Sequence, residues 1–215
     1  MKIPLEKRLR KQSHRDLGYL QDEALEILYS ISPDFILHGG TAIWRCFGGG
    51  RFSEDIDLYA PKLPVDFGEK FKGMLVSRGL QMQKFKTTEN TVFCKIKGNG
   101  EEMRIEINIS KKPPEYSPIP YGKMDGSSMI AICLTADSLI VEKASAYISR
   151  KLIRDVYDVY FLSNIVEKPE TGKELAALLR KFPEPLDEST LKTLIYSGTV
   201  PSFPQMMEIL RRKFP

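Results

Sequence analysis

Two aspartates stand two residues apart in the segment Arg51-Phe52-Ser53-Glu54-Asp55-Ile56-Asp57-Leu58. On a β-strand, residues i and i+2 face the same side, so Asp55 and Asp57 would present two carboxylates to one face. Two neighbouring carboxylates without a counter-charge repel each other, and a hard divalent cation such as Mg²⁺ removes that penalty. The spacing therefore predicts half of a magnesium site, which substrate phosphates would complete.

A third acid would allow two metal ions to act together on a phosphoryl group. Glu106 is the candidate, because residues 103–109 alternate and place Arg104, Glu106 and Asn108 on one face of a strand. If that strand pairs beside the aspartates, Glu106 faces them and becomes the third metal ligand. An outward-facing glutamate on an edge strand explains the residue equally well.

Phosphate binding is predicted just before the acids. The apolar run Phe35–His38 indicates a buried strand, and Gly39-Gly40-Thr41 follows it, with Thr41 predicted to cap a helix over 42–47. A strand that turns into a helix start presents backbone N–H groups to an anion, and glycine lets a ligand approach closely. Arg51 and Ser53 would add positive charge and a hydrogen bond. Alone, such a turn is usually only a turn, and an Asp pair is usually solvated.

The remaining sequence predicts an α+β fold, with a mixed sheet and flanking helices over residues 1–125 and a helical module over 126–215. Gly98-Asn99-Gly100 predicts a hairpin. The proline-rich stretch 111–122 predicts a loop or an extended connector. The predicted strands are 35–38, 56–59, 91–96 and 103–109, and the predicted helices are 16–31, 42–47, 65–79, 137–163 with a break near Leu152, 171–181, 187–196 and 203–213.

Composition narrows the class of protein. The 215 residues are 42% hydrophobic and carry a net charge of +4, which permits a nucleic-acid or polyphosphate partner without requiring one. Three widely spaced cysteines argue against a disulfide or zinc framework and favour a reducing compartment. No apolar run is long enough to span a bilayer, and the basic N-terminus lacks the apolar core of a secretory signal. We therefore predict a cytoplasmic protein with no membrane partner.

Two segments resemble one family. Gly39-Gly40-Thr41-Ala42 with residues 51–58 is similar to the nucleotidyltransferases of the AbiEii/AbiGii toxin type, in the polymerase-β-like superfamily. The segment from Glu142 to Asp158 is similar to that family's pattern E-K-x-x-A-x-x-x-R-x-x-x-R-D-x-x-D. The two matches are in the expected order and cover the chain from about residue 35 to 165. The resemblance implies a polymerase-β-like core followed by a helical C-terminal part.

The resemblance also implies roles for individual residues. Gly39, Gly40 and Thr41 match the motif that holds the triphosphate, and Asp55 and Asp57 match the metal-binding acids. The superfamily's third acid is usually an aspartate, whereas this chain offers Glu106. Members are toxins of toxin–antitoxin pairs, and some transfer nucleotides to the acceptor end of tRNA, which implies NTP, RNA and antitoxin partners. Lys143 matches a lysine that contacts nucleotide phosphates and Asp158 the last acid, so the predicted catalytic set is Asp55, Asp57, Glu106, Lys143 and Asp158.

The residue spacing in the segment from Glu142 to Asp158 makes a prediction independent of the resemblance. Lys143, Tyr147, Arg150 and Arg154 have spacings of 4, 3 and 4, which predicts one stripe of a helix. Such a stripe can face a triphosphate or an RNA backbone, and a solvated basic face is the alternative. Arg154 and Asp158 could form a surface ion pair. We favour function for Lys143 and Asp158, and a structural role for Arg150.

Together these features predict a Mg²⁺-dependent nucleotidyltransferase. An acceptor hydroxyl, deprotonated near Asp57 and Glu106, would attack the α-phosphate of an NTP and release pyrophosphate. One alternative is an inactive nucleotide- or RNA-binding module on the same fold. Another is a protein-interaction partner, which an exposed apolar patch on the C-terminal helices would favour; its candidate residues are Leu191, Leu194, Ile195, Met206, Met207 and Leu210.

Overall fold

A computed structural model describes residues 3–166 and 172–215. Two helices come first, β1 and β2 are each followed by a helix, five consecutive strands come next, and the remaining elements are helical. The strands are β1 (Ile36–His38), β2 (Ile56–Ala60), β3 (Gln81–Thr87), β4 (Thr91–Gly98), β5 (Glu101–Ile109), β6 (Tyr116–Gly122) and β7 (Ser128–Leu134). The helices are α1 (Leu5–Arg8), α2 (Gln12–Ile31), α3 (Gly39–Phe47), α4 (Phe67–Ser77), α5 (Ala136–Arg150), α6 (Ile153–Ser163), α7 (Gly172–Leu179), α8 (Leu191–Leu194) and α9 (Phe203–Lys213), with a 3₁₀ turn at Glu188–Thr190.

One mixed sheet organises the described residues, with its strands in the order β3-β4-β5-β2-β1-β7-β6. β2 pairs with β5 in parallel, and β1 pairs with β7 in parallel, whereas the other neighbours are antiparallel. A parallel pair needs a crossover connection, and α4, β3 and β4 provide it between β2 and β5. The crossover brings the strand that carries Glu106 beside the strand that carries Asp57. The predicted mixed sheet with flanking helices is confirmed.

Alternation along β5 shows how the sheet divides core from solvent. Met103, Ile105 and Ile107 are buried, whereas Arg104 and Glu106 are exposed. Full burial of such apolar side chains stabilises the fold by about 1.5–3 kcal/mol each. Burial of the apolar face therefore fixes the register, because a slip of one residue would exchange the two faces. The charged face of β5 is held outward as a consequence.

Local turn signals were predicted correctly. β4 and β5 are joined by Asn99 and Gly100, whose φ angles are 52° and 83°. A two-residue type I′ hairpin needs positive φ at both positions, which Asn-Gly supplies. The break near Leu152 is also confirmed, since α5 ends at Arg150 and Lys151 has a φ of 57° before α6 begins.

The proline-rich stretch 111–122 was predicted wrongly as a loop or connector, because it contains β6, an edge strand of the sheet. An edge strand tolerates Pro118 and Pro120, since alternate N–H groups there face away from the neighbouring strand. β3 and β7 were missed as well. The sheet thus continues past residue 125 to Leu134, and the division of domains at 125 and 126 stays a prediction.

The break after α5 corrects the predicted basic stripe. Tyr147 is buried and its hydroxyl donates to the carbonyl of Pro183 at 2.5 Å, so it does not share a surface with Lys143 and Arg154. The residues proposed for an apolar patch on the C-terminal helices are not exposed either. They are buried (Leu191, Met206, Met207, Leu210) or half-buried (Leu194, Ile195). Residue 171, where the next predicted helix begins, lies outside the described residues.

The three cysteines, Cys46, Cys94 and Cys133, are free, as the sequence predicts. Among residues 3–166 and 172–215, no helix has both the length and the apolar character needed to cross a bilayer.

Candidate active site

The predicted acids lie together on the open face of the sheet. Asp57 is opposite Glu106 on β5 and opposite His38 on β1. Residues opposite each other on neighbouring strands point to the same side. The structure therefore places Glu106 beside Asp57 and confirms that the two strands pair as the metal-site prediction requires. Its role as a metal ligand stays a prediction.

Asp55 is engaged by an arginine that the sequence analysis did not single out as functional. Arg104 donates from Nε to Oδ1 of Asp55 at 3.1 Å and from Nη2 to Oδ2 at 2.5 Å. Hydrogen bonds and charge attraction from Asp55 raise the pKa of Arg104. The Arg104 side chain is 60% exposed, so it can move away from the carboxylate without disrupting the hydrophobic core. Arg104 thus supplies the counter-charge of Asp55 in the metal-free protein.

Asp57 has no such partner. It is half-buried, and its carboxylate accepts no hydrogen bond from the residues that the structure describes. Burial raises the pKa of Asp57; His38 and Lys143 oppose this effect, and Asp55 and Glu142 add to it. A carboxylate in this position is stabilised by any cation that reaches it.

The glycine turn packs directly against the acid segment. Gly39 has a φ of 74°, and a Cβ there would overlap Oδ2 of Asp57. A Cβ on Gly40 would lie 2.5 Å from Oγ of Ser53 and 2.6 Å from Nη2 of Arg51. Both positions require glycine because side chains of the acid segment occupy the space. The role of these glycines in phosphate binding stays a prediction.

Thr41 does not cap a helix, so that prediction is wrong. α3 already begins at Gly39 with His38 as its N-cap residue, and Thr41 lies in the first turn. The Thr41 hydroxyl donates instead to the backbone carbonyl of Asp55 at 2.5 Å. This hydrogen bond ties the start of α3 to the residue that leads into the acid strand. The contact of Thr41 with the triphosphate stays a prediction.

The predicted acid Asp158 holds Arg51 in the interior. Arg51 donates from Nε and Nη2 to the two carboxylate oxygens at 2.6 and 2.5 Å, and Lys143 Nζ lies 3.8 Å from Oδ2. Burial alone would lower the pKa of Arg51, but the charge and hydrogen bonds of Asp158 raise it. The predicted surface pair between Arg154 and Asp158 is wrong, because Asp158 is fully buried and bound to Arg51. The pair clamps α6 onto the loop before β2.

These elements enclose an open cavity of about 320 Å³. Acids from β2, β5 and the preceding loop line it together with cations from the loop, β5, α5 and α6. Arg150 also donates two hydrogen bonds to Asp155 at 2.6 Å, in keeping with the structural role predicted for it. A lining of acids and cations suits an anionic ligand that arrives with a divalent metal. The charged lining residues are Arg51, Glu54, Asp55, Asp57, Arg104, Glu106, Lys143, Arg150 and Arg154.

A buried histidine beside Asp57 was not predicted. His38 stacks on Tyr59 with ring centroids 4.0 Å apart, and its Nδ1 lies 2.9 Å from Oε2 of Glu142. The distance between Nδ1 and Oε2 is short, but the angle is not that of a hydrogen bond. Burial alone would raise the pKa of Glu142, but His38 lowers it. Glu142 opens the second sequence motif, and this contact explains how that motif reaches β1.

The acidic side chains of the cavity could supply part, but not all, of a magnesium coordination shell. No three histidine, cysteine or acidic side chains within the described ranges converge closely enough to enclose an ion. Mg²⁺ in proteins usually takes one or two carboxylates and completes its shell with water and substrate phosphates. Asp57, without a hydrogen-bonding partner, and Asp55, held by an exposed arginine, match that requirement. A metal ion bound to both Asp55 oxygens would require Arg104 to release that carboxylate.

Solved structures share this fold. JHP933 from Helicobacter pylori aligns with a TM-score of 0.66 at 20% identity, over 95% of this chain and 91% of that chain. MenT4, a nucleotidyltransferase toxin from Mycobacterium tuberculosis H37Rv, aligns with a TM-score of 0.63 at 17% identity, over 92% of this chain and 81% of that chain. At these identities the likeness concerns the fold alone.

No curated protein matches the chain in sequence. A family model does match it, over residues 26–195, and its description is nucleotidyl transferase AbiEii toxin, type IV toxin–antitoxin system. The match spans both sequence motifs, the sheet from β1 to β7 and the helices that clamp onto it. The chain belongs to the AbiEii nucleotidyltransferase toxin family.

Proposed function

We propose that this protein transfers a nucleoside monophosphate from an NTP to an acceptor hydroxyl in a Mg²⁺-dependent reaction. The observation that carries the proposal is one cavity whose lining combines Asp55, Asp57 and Glu106 with several cations. The acceptor oxygen forms a bond to the α-phosphorus, and the bond from the α-phosphorus to the bridging oxygen of the β-phosphate breaks. Pyrophosphate leaves with that electron pair, and the acceptor proton passes to a carboxylate or to water.

The chain's own residues would bind and orient the reactants. Asp55 and Asp57, with Glu106 as the third ligand, would hold Mg²⁺, which when bound stabilises charge on the phosphate and favours the deprotonated acceptor. Lys143 and Arg154 also line the cavity and would contact the β- and γ-phosphates. The backbone N–H groups at the start of α3 supply further anion contacts.

A toxin role and an RNA acceptor complete the proposal. The family description supports a toxin with a cognate antitoxin. The 3′ end of a tRNA is the acceptor to be tested first, and the net charge of +4 is compatible with a polyanion. An inactive binding module on the same fold is the alternative, and the unpartnered carboxylate of Asp57 favours the enzyme over it.

A transfer assay tests the proposal. The purified protein is incubated with Mg²⁺, each α-³²P-labelled NTP in turn, and either total tRNA or total protein from the same host. We expect labelled tRNA with one or two NTPs and no label with the Asp55→Asn/Asp57→Asn variant. The charge-matched control is Asp34→Asn/Asp66→Asn, since both residues are exposed and distant from the cavity lining. Transfer that survives in the first variant contradicts the proposal, and NTP binding without any transfer supports the inactive module.

A further inference from the structure

One face of the sheet is uncovered beyond the cavity, on β3 and β4. Lys84 lies opposite Lys95, and Lys86 lies opposite Phe93, so these four side chains share a face. The other face of β4 carries Val92, Cys94 and Ile96, which are buried. On the open face Lys84 and Lys86 are exposed, and Phe93, Lys95 and Lys97 are half-buried. We call Lys84, Lys86, Phe93, Lys95 and Lys97 the lysine strip.

The lysine strip is cationic. Lys84 and Lys86 have no carboxylate partner among the residues that the structure describes, and the Lys84 ammonium lies 5.4 Å from the centre of the Phe93 ring. Lys95 forms an ion pair with Glu102, which offsets one of the four lysine charges. Lys84 and Lys86 beside the half-buried ring of Phe93, with further lysines along β4, leave a surface complementary to a chain of phosphates with flat bases.

The strip is continuous with the acids of the cavity. Strand register places Asp57, Glu106, Phe93 and Lys86 in one row across four strands. A second row runs from Arg104 through Lys95 to Lys84, and it begins at the arginine that binds Asp55. Neighbouring strands are about 4.8 Å apart, so Lys86 lies about 14 Å from Asp57. Phe93 belongs to both surfaces, since it also lines the cavity.

We propose that the lysine strip binds the single-stranded end of an RNA acceptor. One base stacks on Phe93, the lysines contact the backbone phosphates, and the terminal hydroxyl reaches the carboxylates at the end of the row. The orientation of the RNA, with its terminal hydroxyl at the carboxylates, rests on the proposed nucleotidyl transfer. Stacking on an aromatic ring combined with lysine–phosphate contacts is the general mode of single-stranded nucleic-acid binding.

Binding of a fluorescein-labelled single-stranded RNA 12-mer, followed by anisotropy at several salt concentrations, tests the strip. Lys84→Gln/Lys86→Gln should weaken binding on the order of tenfold at 0.1 M salt and reduce the slope of log K against log salt by about 1.4, since each lost phosphate contact on a single strand contributes about 0.7. Phe93→Leu should weaken binding on the order of tenfold and leave the slope unchanged, because stacking releases no counterions. The matched control is Lys70→Gln/Lys72→Gln, two exposed lysines on α4, which packs against the covered side of the sheet.

The outcomes separate the strip from the proposed chemistry. If Lys84→Gln/Lys86→Gln binds RNA with the same affinity and salt slope as the control variant, the proposed role of the lysine strip is wrong. The proposal also fails if the wild-type protein binds no RNA. Binding of a fluorescent NTP analogue should be unchanged by Lys84→Gln/Lys86→Gln, because neither lysine lines the cavity. Lysine-dependent RNA binding without nucleotide transfer by the wild type would support the strip and contradict the proposed function.

Discussion

Removing the charge of Asp158 should destabilise the protein strongly. Asp158→Asn keeps the shape of the side chain but leaves the guanidinium of Arg51, whose residue is 5% exposed, without its counter-ion. Breaking a buried ion pair by losing one partner costs about 3–5 kcal/mol. Domains of this kind have about 5–15 kcal/mol of total stability. At about 2–4 °C per kcal/mol, we expect the melting temperature to fall by about 10 °C.

A neutral replacement of both partners should recover part of that loss. Arg51→Met/Asp158→Leu removes both members of the hydrogen-bonded ion pair, and apolar pairs of similar volume are often as stable as the ion pair. The ammonium of Lys143, 3.8 Å from Asp158, also loses a partner, so we expect recovery of only part of the loss. Urea unfolding followed by circular dichroism gives the free energies of the wild type, the single variant and the double variant. The control is Asp155→Asn, another fully buried aspartate whose partner Arg150 is 41% exposed, so the freed guanidinium can turn to water and the loss should be smaller.

The same variants decide what Asp158 does. If it positions Arg51 and α6, nucleotide transfer at a temperature where Asp158→Asn is folded should persist at a reduced rate. Wild-type stability in Asp158→Asn together with abolished transfer would refute the clamp and assign Asp158 to the chemistry.

Two further predictions concern the carboxylates directly. Gly39→Ala and Gly48→Ala both place a Cβ at a φ of 74°, which costs about 1–2 kcal/mol, but the Cβ of Gly48 meets nothing within 4 Å whereas that of Gly39 overlaps Asp57. Thermal melts should therefore show a lower melting temperature for both variants. The rate of nucleotide transfer should fall on the order of a hundredfold for Gly39→Ala alone. Equal transfer rates in the two variants would contradict this account. Burial raises the pKa of Asp57, so the ionised carboxylate destabilises the metal-free fold as the pH rises through that pKa. Asp57→Asn should consequently raise the melting temperature in EDTA at pH 7, with the gain shrinking as the pH falls toward the ordinary value of 3.8, and a pH-independent difference would be inconsistent with the shift.

Local chemistry was readable from the sequence. The Asn99-Gly100 turn, the break before α6 and the i, i+2 aspartates each depend on a few neighbouring residues. The alternation of β5 also sufficed to choose the face of Glu106. These are features in which backbone preference, burial pattern and fold agree, which is the usual condition for a correct prediction.

Edge strands and long-range pairs were not readable. β3 carries polar or charged residues at most of its positions and β6 contains prolines, so neither has the apolar alternation of a buried strand. The sequence likewise contains no signal that Arg51 would meet Asp158, 107 positions away, or that Arg104 would meet Asp55. Both pairs arise only once β2, β5 and α6 are packed, because each partner comes from a different element.

The two parallel strand pairs at the centre of the sheet determine when the cavity can be completed. β2 has its parallel neighbour only after β5 has been synthesised, and β1 only after β7 has been synthesised. Contacts between distant parts of a chain form late, since a long loop has to close before they contribute any stability. During synthesis the acids of β2 therefore emerge long before the strands that complete their surroundings. A nascent or truncated chain that ends before α6 therefore carries the acid segment without the residues that complete the cavity.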